Sequence, residues 1–415
     1  MKVLFINTLY APNVLGGAEK TVQTLAESLV ARGHAAVVIS LAPDGLRQTR
    51  MVNGVRVHYE RLRNFFWPFG GAQRSAWRRL CWLMVDAFNP LMAWRVFTIL
   101  REERPDLVQT SNLLGFSCAV WWSARLLRIP IVQMLHDHYP VCANSSTFRD
   151  GHNCTSPCGR CRVITAPRRA LSGMPDGVIS LSEATLSKAR AFGAFQGTRH
   201  VAVIHGAAHI EQPEQVPVRP TTDVLRIGYL GRVEANKGIE TLMQALHRVR
   251  MRRPVSCAVA GKGEAPYVAS LQALAPEGLV RFLGRVEPTS LFDQIDVLVV
   301  PSVWEEPLGR VIYEAYTHGV PCVVSDAGGM KEIVEPGSTG EVFAAGDVAG
   351  LDEALQRLER GDRQALLYLQ NAVGAADAAT PAPSPPAAPP PSRYCLSLQA
   401  QVPLEELITL GLCPQ

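Results

Sequence analysis

Charge is scarce in this chain of 415 residues: Asp, Glu, Lys and Arg make up 19% of it, and the formal net charge is only +4. So slight a balance does not imply a nucleic-acid partner, whose binders concentrate Lys and Arg on one face. Long, clean apolar runs are missing too. Residues 107–124 carry no charge, but Gln109, Thr110, Asn112 and several serines interrupt them, so no transmembrane helix is expected there. The opening MKVLFINTLY has one basic residue and a short apolar run broken by Asn7, with no cleavage-like segment after it. It reads as a first buried strand and not as a secretory leader. A cytoplasmic location is expected, and there the ten cysteines are reduced thiols or metal ligands. No D-x-D pair offers a divalent ion a place to hold a diphosphate, and no second carboxylate suits a glycosidase pair. The first strand-to-helix loop, APNVLGGAE, lacks G-x-G-x-x-G, and strand two ends in ISLAP with no acidic ribose ligand. Those two absences argue against a dinucleotide-dependent oxidoreductase.

What is present is an alternation of strand and helix patterns. Residues 2–6 read as a strand, Ala11–Gly17 as a glycine-containing loop, Glu19–Arg32 as a helix ended by Gly33, and Ala35–Ser40 as the next strand. Such alternation predicts an α/β fold with parallel, doubly wound sheets and ligand loops at the strand C-termini. Strand Leu107–Gln109 and helix Phe116–Leu127 follow, then strand Val132–Leu135 with His136 at its C-terminal end. Strand Gly177–Ser180 leads to a helix start at Ser182-Glu183. Pro213, Pro217 and Pro220 mark residues 206–222 as a linker between a first domain, 1–205, and a second, 223–365. The second domain opens with strand 224–231, followed by Arg232, Lys237 and a helix that Gly238 begins. Two cations five apart at a strand end, beside a helix N-terminus, make a diphosphate clamp. Residues 366–415 include an Ala/Pro-rich stretch too poor in large apolar groups to fold.

Most of the chemistry lies in 301–329, PSVWEEPLGRVIYEAYTHGVPCVVSDAGG. A buried run, Val297–Val300, ends at Pro301, and a helical pattern starts near Leu308. Glu306 and Glu314, eight apart, therefore stand on the strand-to-helix loop and about two turns into the helix. Gly309 removes bulk where the first amides of the helix are unpaired, an arrangement that accepts phosphate. A carboxylate beside phosphate must seek other partners, and sugar hydroxyls suit it.

E-x7-E in the setting EEPLGRVIYEA, followed by GVPCVVSDAGGMKEIV, resembles the signature of retaining glycosyltransferases of family four, which have the GT-B fold. The resemblance spans roughly residues 1–360; the family usually has Phe and a hydrophobic residue where this chain has Leu308 and Arg310. It implies two Rossmann-like domains facing a cleft and transfer of a sugar from a nucleotide-diphosphate donor to a hydroxyl of a glycan or lipid-linked acceptor, with retention and no catalytic metal. Glu306 would hold donor sugar hydroxyls and Glu314 the ribose, with Gly309, Arg310 and Val311 beside the phosphates. Arg232 and Lys237 match the family's diphosphate ligands. Gly16-Gly17 resembles the GGAE motif that floors the donor and acceptor, although a double glycine by itself is only a turn. His136, in HD-x-x-x-x-C, is similar to the histidine near the sugar C6 hydroxyl. An atypical tail leaves open a non-catalytic nucleotide-sugar-binding protein.

Two further stretches remain. Cys142, Cys154, Cys158 and Cys161 fall within twenty residues of a Gly/Ser/Asn-rich loop. They could hold a structural zinc or an iron–sulfur cluster, or stay free or redox-active thiols. Residues 61–101 are basic and aromatic, fitting either an anionic membrane surface at the inner face or helices that cover the sheet with solvated arginines.

Overall fold

Short runs rich in Val, Ile and Leu, buried on both faces, build two parallel sheets. The computed structural model describes residues 1–69, 74–205, 223–248 and 253–360. It divides into two compact units, one of Met1–Thr147 with 154–205, the other of 148–153 with the residues from 223 onward. The hairpin 148–153 thus departs from a simple division at 205. The linker 206–222 and the tail 366–415 lie outside the described residues.

In chain order the strands are β1 (Lys2–Ile6), β2 (Ala35–Leu41), β3 (Gln48–Val52), β4 (Val55–Glu60), β5 (Leu107–Thr110), β6 (Ile131–Leu135), the hairpin β7 (Phe148–Arg149) and β8 (His152–Asn153), β9 (Gly177–Ser180) and β10 (His200–Val203). The first unit's sheet runs β10-β9-β6-β5-β1-β2-β4-β3, parallel except for the antiparallel β3–β4 hairpin. That hairpin turns on Asn53-Gly54, both at positive φ; Asn-Gly favours this tight turn. Helices α1 (Gly17–Ala31), α2 (Ala76–Ala87), α3 (Pro90–Glu103), α4 (Val120–Leu126), α5 (Gly159–Ile164), α6 (Ala166–Leu171) and α7 (Glu183–Ala191) complete the unit. Helix α4 starts later than expected because Gly115 and Ser117 take positive φ and keep the preceding residues out of a helix.

The second unit adds β11 (Leu225–Leu230), β12 (Val255–Ala260), β13 (Val280–Gly284), β14 (Val297–Val300), β15 (Cys322–Ser325) and β16 (Gly340–Phe343), all parallel in the order β13-β12-β11-β14-β15-β16. Helices α8 (Ile239–Arg248), α9 (Ala265–Leu274), α10 (Pro288–Phe292), α11 (Arg310–Thr317) and α12 (Val348–Arg360) flank it. Leu242, Leu246, Leu351, Leu355 and strands β11, β12 and β14 share one core layer, while Ile312, Tyr313, Val324 and Met330 belong to another.

In each sheet the winding reverses once. The first reverses at β1, which pairs with β2 on one side and β5 on the other. The second reverses at β11, between β12 and β14. Loops leaving the strand C-termini at such a point open a crevice that binds ligands in doubly wound folds.

Candidate active site

Lys237 and Glu306 leave different strands and meet at this reversal in the second unit. Lys237 ends a 3-10 turn after β11, and Glu306 lies on the loop after β14. Lys237 Nζ donates to Glu306 Oε1 at 2.8 Å, both side chains being mostly buried, and stands 5.1 Å from the centre of the Trp304 ring. The pair and the cation–π contact hold the ammonium in one place. The two loops are stitched by Asn236, whose carbonyl oxygen accepts from Val303 N at 3.1 Å, Trp304 N at 3.2 Å and Ser302 Oγ at 3.1 Å. Gly238 makes this approach possible: it sits at φ +65°, and a Cβ there would come within 2.0 Å of Pro301 O. Glu306 is held from the other side as its carbonyl accepts from Gly329 N at 2.8 Å.

Helix α11 begins at Arg310, two residues later than expected, with Gly309 as its N-cap. A Cβ at Gly309 would come within 2.7 Å of Ile312 Cδ1 and 3.2 Å of Met330 Cγ, so core packing crowds this position. Val311 lies in the first turn, where amides have no partner within the helix. Glu314 faces Arg310 one turn back, accepting from its Nε at 2.9 Å, while Arg310 Nη1 is buried without a hydrogen-bond partner. Arg232 is exposed and pairs with Glu234 at 2.8 Å, a contact that water and salt weaken. Asn153, which the sequence did not single out, binds the Glu306 loop through Val303 O at 2.8 Å and Glu305 N at 3.0 Å. Nothing in its local sequence signals this, because the partners are some 150 positions away.

In the first unit, His136 follows β6, as expected. Its Nε2 is buried with no hydrogen-bond partner, and burial pushes the imidazole down to about 4. The neighbouring Asp137 carboxyl accepts from Tyr139 N at 2.8 Å, but burial outweighs this bond and raises it to about 6. A fully buried group steadies the turn: Asp86 accepts from Arg168 Nη2 at 2.7 Å, Tyr139 OH at 2.9 Å and Gly115 N at 2.6 Å. Gly16 caps α1, and its N–H is already bound by Glu19 Oε2 at 2.8 Å. That helix end therefore faces a carboxylate of its own first turn.

The four cysteines lie in the first unit. Cys142 Sγ stands 4.0 Å from Cys161 Sγ, and the two accept from Thr147 N at 3.3 Å and Ala143 N at 3.4 Å respectively. Among the described residues, no three His, Cys, Asp or Glu side chains are gathered so as to hold a metal ion.

A family model described as "Glycosyl transferase 4-like domain" matches residues 16–206, and one described as "Glycosyl transferases group 1" matches 225–360. A protein of the cps region of Klebsiella pneumoniae is 27% identical over 80% of this chain and 87% of its own. Glycogen synthase of Mycobacterium tuberculosis is 28% identical over 86% and 85%. Among solved structures, sucrose-phosphate synthase of Thermosynechococcus elongatus superposes with a TM-score of 0.67 at 20% identity, over 90% of this chain and 93% of that one. Anabaena HepE gives 0.62 at 22%, over 90% and 94%. With two doubly wound units and a family model on each, the chain belongs to the family-four type of glycosyltransferases and is a transferase with the GT-B fold.

Proposed function

We propose that the protein moves a sugar from a nucleotide-diphosphate donor to a hydroxyl of a glycan or lipid-linked acceptor, with retention of configuration and without a catalytic metal. The observation that carries this reading is the Lys237–Glu306 pair at the reversal of the second sheet. Solved structures of Anabaena HepE with UDP and with UDP-glucose support the choice of donor.

Transfer breaks the bond from the sugar C1 to the diphosphate oxygen and forms one from C1 to the acceptor oxygen on the same face. The acceptor proton passes to a phosphate oxygen. Negative charge grows on the leaving diphosphate, so fixed positive groups aimed at it lower the barrier. Lys237, Arg232 and the first-turn amides of α11, around Gly309, Arg310 and Val311, fill that role. Glu306 holds sugar hydroxyls once Lys237 turns to phosphate. Arg310 fixes one oxygen of Glu314, and the other takes the ribose. His136 offers its neutral, unpartnered Nε2 to the C6 hydroxyl, and Gly16-Gly17 supplies backbone beneath donor and acceptor. Reduced thiols and a soluble donor go with a cytoplasmic setting.

The test is a nucleotide-sugar screen by thermal stabilisation in EDTA, followed by NMR of the anomeric proton in the first-formed product. A stabilising donor and a retained anomer are expected. An inverted anomer, or turnover lost to EDTA and restored by magnesium, overturns the reading.

A structural zinc at Cys142, Cys154, Cys158 and Cys161 remains a separate proposal, because an ion would have to draw together sulfurs that do not yet form a set of three. Four thiolates would leave no open position, so such an ion would pin the loop and not catalyse. About one equivalent of zinc in anaerobically purified protein would establish such an ion; protein free of metal ends the idea and leaves the four as thiols.

Burial also sets a pH signature. The His136 imidazole is depressed from 6.5 to about 4, so its share of stability is present above 6.5 and is lost as pH falls toward 4. The Asp137 carboxyl is raised from 3.8 to about 6, so its share is present below 3.8 and is lost as pH rises toward 6. Between 6 and 4 the two oppose each other. Asp137→Asn is therefore expected to steepen the fall of Tm with acidification over that interval; an unchanged slope counts against it.

A further inference from the structure

The β7–β8 hairpin is set up by its own short-range chemistry. Asp150 and Gly151, at φ +51° and +81°, form the tight turn, and at the open end Cys154 N donates to Thr147 O at 2.7 Å. The hairpin, 148–153, belongs to the second unit. Its last residue, Asn153, turns its side-chain amide to the loop after β14, with Nδ2 donating to Val303 O at 2.8 Å and Oδ1 accepting from Glu305 N at 3.0 Å. Both partners are backbone groups, one able only to accept and the other only to donate, so the orientation of the amide is fixed. A carboxylate in its place could not make the first of these bonds.

The backbone leading to Glu306 is thus gripped from three directions. Asn236 O takes the amides of Val303 and Trp304, Asn153 takes that of Glu305, and Gly329 N donates to the carbonyl of Glu306. Gly328 leaves room for the last contact, since a Cβ there would lie 2.2 Å from Glu306 O. The side chain of Glu306 is aimed by Lys237 at 2.8 Å. Transfer draws that ammonium to the diphosphate, and the aim of the carboxylate then rests on the backbone that carries it.

We propose that Asn153 is a positioning residue for transfer, its amide holding Val303 and Glu305 so that Glu306 keeps its aim at the donor sugar once Lys237 has turned to the phosphates. The inference rests on the transferase reading and adds to it a residue that acts only through Glu306.

The test combines amide hydrogen exchange with steady-state kinetics on the full chain. Asn153→Ala is expected to speed exchange in a peptide spanning residues 302–309 by about tenfold, because a freed backbone opens more often. It should lower kcat by about tenfold to a hundredfold while KM for the nucleotide sugar stays within about threefold, since a misplaced group costs turnover and the diphosphate contacts are untouched. Asn153→Asp keeps an acceptor for Glu305 N but sets a carboxylate oxygen against Val303 O, so it should do no better than Asn153→Ala. Asp150→Asn at the hairpin tip, where the side chain is 81% exposed, should match wild type in both assays. Unchanged exchange in Asn153→Ala overturns the proposal, and so does faster exchange with an unchanged kcat, or a kcat that Asn153→Asp restores. An inverted anomer or a need for magnesium in the wild type overturns the transferase reading instead, and the exchange result does not move with it.

Discussion

Lys237→Ala is expected to lower kcat/KM by about 10² to 10³, the usual loss when one fixed donor to developing negative charge is removed. Two effects act together. The ammonium that would meet the diphosphate is gone, and Glu306, only 9% exposed, loses the partner at 2.8 Å that neutralises it. A buried, unpaired carboxylate then faces the incoming phosphates and repels them. Glu306→Gln in the same background separates the two, because it removes the repulsion without restoring the cation. Partial recovery of donor affinity, with kcat still low, is the expected pattern in steady-state assays. A single variant with near-normal kcat/KM would show that Lys237 does not serve the leaving group.

Gly238→Ala is expected to destabilise the second unit by about 3 kcal/mol, combining a strained positive φ with overpacking. A Cβ at this position would lie 2.0 Å from the carbonyl oxygen of Pro301 and 3.3 Å from Val303. Neither neighbour can yield easily, since one is backbone and the other belongs to a loop held by Asn236. The β11 and β14 loops must separate, carrying Lys237 away from Glu306. Both a Tm lower by several degrees and a loss of donor binding follow, measurable by calorimetry and by titration with a nucleotide sugar. Gly278→Ala is the matched control: it also has a positive φ, +71°, but nothing lies within 4 Å of its would-be Cβ. Equal effects at both sites would mean that backbone strain alone matters and that the loop contact does not.

Much of the fold was legible because parallel strands buried on both faces are continuous Val/Ile/Leu runs: β1, β9 and β14 fall where the sequence places them to within a residue. The placement of the candidate residues in the second domain was legible for a related reason. Glu306, Gly309 and Glu314 are close along the chain, and Arg232 and Lys237 share one loop, so local spacing is enough to put each on its element. Helix α2 and the β3–β4 hairpin show less in the sequence, because α2 is apolar on two sides and the hairpin alternates weakly. The Asp86–Tyr139–Arg168 cluster and the Asn153 contacts were invisible, since their partners lie tens of residues away or more.

By itself, then, the amino-acid order determined two doubly wound units, Glu306 on a strand-to-helix loop with Glu314 in the helix that follows, and the cations of the loop after β11, because each rests on short-range periodicity and on turn chemistry. Only the tertiary structure decided that Lys237 reaches Glu306, that His136 keeps an unpartnered nitrogen, and that one apolar face of α2 and α3 stays in solvent. Those outcomes depend on which loops the strand order brings together and which helix faces the core leaves uncovered. Residues distant in sequence acquire both properties only when the sheets close.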